Sequence, residues 1–188
     1  MSGGQSAGLM QRELRDAFGR FATGVVVLTT RRDDGDPIAV TVNSFTSVSL
    51  EPPLLMFSLA RSANCLAAFA ACQRFAASVL RHDQQWISSN FARPSLSSWQ
   101  RVPTQRTPEG DLLIDGALAT FQCVRHSEHM AGDHMLILGR IERSAARAHA
   151  RPLAFFAGNY GSFTPDQGPA WPMAPADSAG DEFTIGWG

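Results

Sequence analysis

Charge is scarce in this chain: 18% of its 188 residues are charged, and 16 basic side chains against 17 acidic ones leave a formal net charge of −1. Without a basic run to follow a phosphate backbone, there is no electrostatic case for a nucleic-acid partner. Cysteine is scarce too. Cys65, Cys72 and Cys123 cannot all pair within one chain, and none falls in a C-x-x-C pair, so reduced and mostly buried thiols are expected. No stretch approaches the roughly 18 apolar residues of a spanning helix, and the Gly/Ser-rich start lacks the apolar core of a secretory signal. The expectation is a cytoplasmic protein with no membrane partner.

Several catalytic signatures are also missing. No G-x-G-x-x-G follows a strand and no G-x-x-x-x-G-K-[ST] occurs, which removes support for a Rossmann site or a P-loop. No G-x-S-x-G supports a Ser/His/Asp hydrolase. His126, His129 and His134 are close in sequence, but their spacing fits neither H-E-x-x-H nor a zinc finger, and no metal is expected.

What is present reads as one globular domain, since 44% hydrophobic residues over this length can bury one sizeable core. Residues 1–9 read as a disordered leader, 10–164 as the domain, and 165–188 as a tail rich in Pro, Gly and Ala, in which Trp171 and Trp187 could pack on a neighbouring subunit. Met10, Leu14, Ala17, Phe18 and Phe21 recur at helical spacing and predict an amphipathic first helix. Residues 25–30 ("VVVLTT") are β-branched enough for a strand, and a second strand begins near Ile38. The apolar run 54–59 predicts a strand buried on both faces, and 74–80 another. Asp83 is placed to cap a short helix through Phe91, and residues 94–108 read as an irregular excursion. Strands resume at 112–114, 119–126 and 134–142, the last two forming a hairpin. Many short strands with few helices and no β-α alternation predict a mostly antiparallel barrel with flanking helices.

The stretch with chemical character is "TVNSFTSVSLEPPLLMFSLARSAN", from Thr41 to Asn64. Taken as extended, it sets Thr41, Asn43, Phe45, Ser47 and Ser49 on one face and Val42, Ser44, Thr46, Val48 and Leu50 on the other. A solvated edge strand usually carries Lys or Glu against stray pairing, yet residues 38–50 hold no charge. Neutral donors and acceptors suit a flat heterocycle with amide and imide groups, although an ordinary Thr/Ser-rich strand would look the same. Ser62 stands where an N-cap belongs, ahead of the run "ANCLAAFAACQ", and Arg61 is beside it. A helix start with an adjacent cation suits a phosphate; a plain cap with a solvent-facing Arg is the simpler alternative.

These segments, taken with "FATGVVVLTT", "FAASVL", "NFA", "GALATFQC", "AGDHMLILGRI" and "PLAFFAGNY", resemble in order and spacing the flavin reductase family, over about residues 18–163. The resemblance implies a split β-barrel that binds FMN or FAD, commonly as a homodimer, and takes hydride from NADH or NADPH. It also implies the reductase role in a two-component flavin monooxygenase, with reduced flavin passing to a partner oxygenase.

By motif, Thr41, Val42, Asn43, Ser44 and Phe45, with Ser47 and Val48, would hold the isoalloxazine and ribityl parts. Phe57, Ser58, Leu59, Ala60, Arg61, Ser62 and Ala63 would line the phosphate side, and Phe91 would pack near the flavin. His134 and Tyr160 would lie at the nicotinamide side, where Asn159 replaces the family's usual Arg or Lys. No catalytic side chain is implied, because both reacting atoms belong to cofactors. Two other readings stay open: a non-catalytic flavin- or haem-binding barrel, and an oxidase of a phosphorylated vitamin on a related barrel.

Overall fold

A computed structural model describes residues 3–32, 34–93, 99–148 and 150–164, with side chains from residue 8 onward. The tail, with Trp171 and Trp187, lies outside them. The first helix, α1, spans Gly3–Phe18 and so begins seven residues before the expected start at Met10. Residues 5–9 hold no proline or β-branched side chain, and extending a nucleated helix costs far less than starting one. Its apolar residues do not meet the core of this chain: Met10 and Phe18 are 63% and 74% exposed, as is Phe21 just beyond it at 76%.

Twelve strands follow among the described residues. They are β1 (Thr23–Gly24), β2 (Val26–Arg31), β3 (Pro37–Val42), β4 (Thr46–Leu50), β5 (Pro53–Ala60), β6 (Arg74–Val79), β7 (Thr104–Arg106), β8 (Leu112–Ile114), β9 (Ala119–Ala131), β10 (His134–Ala146), β11 (Leu153–Phe156) and β12 (Asn159–Ser162). Helix α2 (Leu66–Ala71) follows β5, and α3 (Gln85–Ala92) follows β6 through a 3-10 turn at His82–Gln84. Asp83 is not the cap of that turn: the Arg81 N–H donates to Gln84 Oε1 at 3.0 Å, closing a capping box, while Asp83 pairs with the Arg81 guanidinium.

Seven strands form one antiparallel sheet in the order β3-β2-β6-β9-β10-β5-β4. Period-two alternation explains its two cores. Val26 and Leu28 of β2 face an inner cluster with Ile38, Leu55, Phe57, Leu59, Phe75, Cys123 and Ile137, so residues from six strands converge and the sheet must roll into a barrel. Val25 and Val27 face an outer cluster with Ile87, Phe91, Ile114 and Leu153, which seats α3 and β11 on the barrel wall. β5, expected to be buried on both faces, is buried on one: Leu55, Phe57 and Leu59 are inside, while Leu54, Met56, Ser58 and Ala60 are half-exposed. The excursion after α3 folds back in part, as β7 pairs with β8; residues 94–98 lie outside the described ones.

The hairpin of β9 and β10 is longer than expected, 13 residues per strand, and turns tightly at Gly132 and Asp133. Gly132 takes a φ of 63°, a left-handed conformation that disfavours a side chain. Its register sets His134 opposite Ala60, which fixes one end of β10 against the end of β5.

Gly139 lets this packing close. A Cβ there would lie 2.2 Å from the Phe75 ring, which is itself 1% exposed and edge-on to Phe57 at 5.2 Å. Phe75 cannot step aside. Gly139→Ala is therefore expected to destabilise the fold by about 1–3 kcal/mol through overpacking. Urea denaturation checks this, and an unchanged midpoint would contradict the packing described.

Candidate functional site

The site grows out of a gap in the sheet. β3 and β4 are consecutive in the chain yet occupy opposite edges of the sheet, so Asn43, Ser44 and Phe45 must cross between edges without ladder hydrogen bonds. The continuous extended face expected over residues 41–50 is therefore broken at 43–45. Ser44 braces the crossing: its Oγ donates to the Ser58 carbonyl at 2.9 Å and accepts the Ser58 N–H at 3.1 Å. Thr41 is tied in the other direction, its Oγ1 donating to the Ser88 carbonyl of α3 at 2.8 Å.

This divides the expected ligand residues into those whose side chains are spent on the fold and those that face outward. Val42 and Phe45 pack on the inner core, Phe45 with its ring 5.7 Å from that of Phe121. Phe57 and Leu59 are interior, at 0% and 3% exposure, so they can offer a ligand only backbone groups. Phe91 is buried in the outer core against Trp99, ring centroids 4.8 Å apart. Asn43, Ser47 and Val48 are exposed along the gap, Ser58 and Ala60 are half-exposed on the outer face of β5, and Arg61 and Ser62 are exposed in the turn after it. Among the described residues, no strand pairs with the outer edge of β4, which leaves a row of backbone N–H and C=O groups beside Asn43 and Ser47.

The expected N-cap is overturned. α2 begins at Leu66, three residues after Ala63, and the cap position is Cys65 with no side-chain cap bond. Between them the Ala63 N–H donates to Ala60 O and the Leu66 N–H to Ala63 O, both at about 3 Å, so two tight turns stand where the helix start was expected. Ser62 sits in the first of these turns. Ser62 therefore caps no helix, and it and Arg61 offer an anion an exposed hydroxyl and guanidinium.

His134 stands beside that turn. It lies opposite Ala60, its Nδ1 is 2.8 Å from Asp133 Oδ1, and the Asp133 carbonyl accepts the Arg61 N–H at 2.9 Å. The hydrogen bond from His134 holds the Asp133 carboxyl below the usual carboxylate range. Tyr160 belongs to a different group of contacts: its hydroxyl is 2.8 Å from Ser88 Oγ and its ring is edge-on to Phe155 at 5.3 Å. Ser88 thus links Thr41 to Tyr160, while His134 joins the β5 end. Asn159, the departure noted before the tyrosine, donates to the Ala157 carbonyl at 3.0 Å and closes the turn before Tyr160.

Three clefts contain residues discussed above, and one of them reaches the gap at Asn43. One of about 490 Å³ lies between Ala63, Asn64, Phe91 and Trp99; one of about 520 Å³ contains Asn43 with Arg15, Phe18, Phe21 and Phe155; one of about 510 Å³ contains Asn159 and Tyr160. Arg61, Ser62 and His134 stand outside them on the open surface. Among the described residues no three His, Cys, Asp or Glu side chains could hold a metal. The cysteines are all free, and burial pushes each thiol up, Cys123 to about 12, which makes a thiolate nucleophile unavailable at neutral pH. No described helix is long and apolar enough to cross a membrane.

Residue patterns did not reveal Ser88, Trp99 or Asp133. Asp133 had a signal, its position next to His134 at a hairpin tip; Ser88 had none, because its importance comes from what α3 packs against.

Comparison with known proteins finds a family model and several similar chains. The family model for the flavin reductase like domain matches residues 18–164. The FMN reductase (NADH) SmoA of Agrobacterium fabrum is 42% identical over 153 residues, covering 81% of this chain and 86% of that protein. The reductase component of the flavin-dependent trigonelline monooxygenase of Acinetobacter baylyi is also 42% identical, over 82% of this chain, which spans about half (49%) of that longer relative. Among solved structures, the NADH:FAD oxidoreductase SgcE6 of Streptomyces globisporus, with NAD and FAD fragments, superposes with a TM-score of 0.79 at 34% identity, covering 84% of this chain and 95% of that one.

Ser44→Ala removes a hydroxyl that both donates and accepts, and leaves two Ser58 backbone groups to find water. A loss of about 1–3 kcal/mol in unfolding free energy is expected, read by urea denaturation. A neutral result would show that the crossing is held by something else.

Proposed function

The chain belongs to the flavin reductase-like family, and from that premise we propose that it passes hydride from a reduced nicotinamide to FMN or FAD, supplying reduced flavin to a partner monooxygenase. The observation that carries this reading is the uncharged gap between β3 and β4, where exposed Asn43 and Ser47 stand beside an unpaired strand edge. Neutral amide, hydroxyl and backbone groups match the alternating donors and acceptors of a flavin's pyrimidine edge, so the residues present fit that group. Bound there, the flavin would supply the redox chemistry.

The chain's own residues then have three tasks. Asn43, Ser47 and the β4 edge would hold the ring by hydrogen bonds, and N–H or hydroxyl donors on that side would stabilise negative charge developing on reduction. Arg61 and Ser62 would take the flavin phosphate by a charge-assisted contact. His134 would orient the nicotinamide, with Tyr160 on the side of the third cleft. Thr41, Ser44, Val42, Phe45, Phe57, Leu59 and Phe91 support these groups rather than reach the ligand with their side chains. Ser58, Ala60, Ala63 and Val48 complete the surface between them.

NADH is the donor named for two of the similar proteins, and FMN and FAD are each named for one. A monooxygenase partner is supported by relatives that are reductase components of such systems. A homodimer is supported by α1 and the turn after it, where Met10, Leu14, Phe18 and Phe21 leave an apolar stripe uncovered in one chain.

Anaerobic mixing with FMN or FAD and NADH is expected to bleach the flavin absorbance; no bleaching with either NADH or NADPH would overturn the activity and favour a passive binding barrel. Replacing Arg61 and Ser62 together with Ala is expected to weaken flavin mononucleotide binding by about 1–3 kcal/mol while sparing riboflavin. Calorimetry with both ligands checks it, and equal loss for the two would refute a phosphate contact.

A further inference from the structure

The small sheet of β1, β11 and β12 has an open edge beside an apolar floor. Ala157 and Gly158 both take positive φ, 48° and 80°, as the two-residue turn of a tight hairpin requires. Such a turn makes Phe156 and Asn159 a hydrogen-bonded pair, and alternation makes Ala154 and Gly161 the next one. The backbone N–H and C=O groups of Tyr160 and Ser162 therefore point away from β11, and among the described residues no strand takes them. Beside this edge the cross-strand partners Gly24, Ala154 and Gly161 form a row with no side chain larger than a methyl. Phe156 and Phe163, 46% and 61% exposed, wall the row within the cleft of about 510 Å³ that contains Tyr160.

The chain carries a segment of matching kind. Residues 183–187, "FTIGW", alternate Phe183, Ile185 and Trp187 with Thr184 and Gly186, a period of two rich in aromatic and β-branched side chains. We infer that this segment adds to the free edge of β12 as an antiparallel strand, with Phe183, Ile185 and Trp187 laid over the glycine floor. The main-chain groups of Tyr160 and Ser162 supply its hydrogen bonds, and its large side chains cover glycines that have none. Nineteen residues, 164–182, separate Phe163 from Phe183. They span up to about 60 Å when extended, against roughly 13 Å for a four-residue strand, so the return is within reach and is favoured by a high effective concentration. Charge agrees with it. Residues 165–188 hold Asp166, Asp177, Asp181 and Glu182 and no basic side chain, which leaves 16 basic against 13 acidic side chains in the rest of the chain. Arg151, which precedes Pro152 of the cleft, has a nitrogen 3.3 Å from His82 Nε2 rather than from a carboxylate.

A seated segment also stands over Tyr160, and one consequence rests on the reading that puts Tyr160 at the nicotinamide: the segment competes with NADH. Amide hydrogen exchange on the full chain reads the edge directly. The Tyr160 and Ser162 amides are expected to exchange about tenfold more slowly than in a chain ending at Glu182, while the Asn159 and Gly161 amides, which face β11, are unchanged. The same truncation is expected to lower KM for NADH by about the same factor, because both ratios report the fraction of chains with an open edge. Edge protection with an unchanged KM supports the added strand and removes Tyr160 from the nicotinamide. Equal exchange with and without residues 183–188 overturns the proposal. So does a rise shared by Asn159 and Gly161, which reports opening of the whole sheet. Gly161→Leu gives a second reading: nothing lies within 4 Å of a Cβ there, so the side chain fits the sheet but fills the floor, and it is expected to abolish the protection without moving Tm. Protection that survives G161L overturns the proposal, as does protection that fades on dilution, which means that a second copy supplies the strand.

Discussion

Everything in this architecture turns on a stretch of chain that must cross from one edge of a rolled sheet to the other without being part of either ladder. Leaving β3 at Val42 and entering β4 at Thr46, it has three residues in which backbone polar groups find no strand partner. Buried backbone groups must be satisfied somewhere, and Ser44 does this for one side of the gap by using its hydroxyl as both donor and acceptor to Ser58. The other side, the outer edge of β4, stays open among the described residues. An open edge that is short, uncharged and half apolar, with Val48 and Leu50 exposed, is a liability in a protein that has nothing to put there. It becomes an asset when a flat ligand with amide-like edges occupies it.

The two cores explain why the gap keeps its shape. β2 is buried on both faces, so its inward residues lock the barrel while its outward residues hold α3 and β11 against the wall. From α3, Ser88 reaches Thr41 through its carbonyl and Tyr160 through its hydroxyl, so the entry to the crossing and the closing sheet share one anchor. Hydride transfer between two bound rings depends on distance and alignment rather than on a side-chain acid or base. A site whose ordering groups sit on packed strands and a packed helix suits that demand better than one built on loops.

Much of this was legible in the residues, and the limits of legibility have physical causes. The β-branched run before Thr30, the absence of β-α alternation and the hairpin before His134 led to a barrel, and the motif order led to a family. Sequence patterns could not say which hydroxyls would be spent. Thr41 and Ser44 look like ligand groups in an extended strand, but whether an Oγ faces a ligand or a backbone carbonyl depends on Ser58 and Ser88, 14 and 47 residues away. The cap at Ser62 failed for a similar reason. The small, unbranched residues of "ANC" are compatible with tight turns as well as with helix, and the bond from Arg61 N–H to Asp133, on a distant hairpin, favours the turns. The same holds for Phe57, Leu59 and Phe91, whose motif membership is real but whose side chains serve the core, so their contribution to a ligand passes through the backbone they hold in place.

The first helix leaves an apolar stripe open on the surface of the single chain. The helix was expected to be amphipathic, and its apolar residues Leu9, Met10, Leu14 and Phe18 are each between 47% and 74% exposed. Its far end is anchored: the Ala157 N–H donates to the Gly19 carbonyl at 2.8 Å, which pins the helix terminus to the turn ahead of Tyr160. A helix tied down at one end, with its apolar side chains turned to solvent, forgoes about 1.5–3 kcal/mol for each large side chain it leaves uncovered. Phe18 and Phe21 also wall the cleft that contains Asn43, so a partner covering that stripe would stand close to the edge proposed to hold the ring. If the cover is a second copy of the chain, as proposed, the shape of the flavin site and the pairing of subunits are not independent properties. A substitution that loosens the stripe would then change flavin binding without touching a residue in the gap.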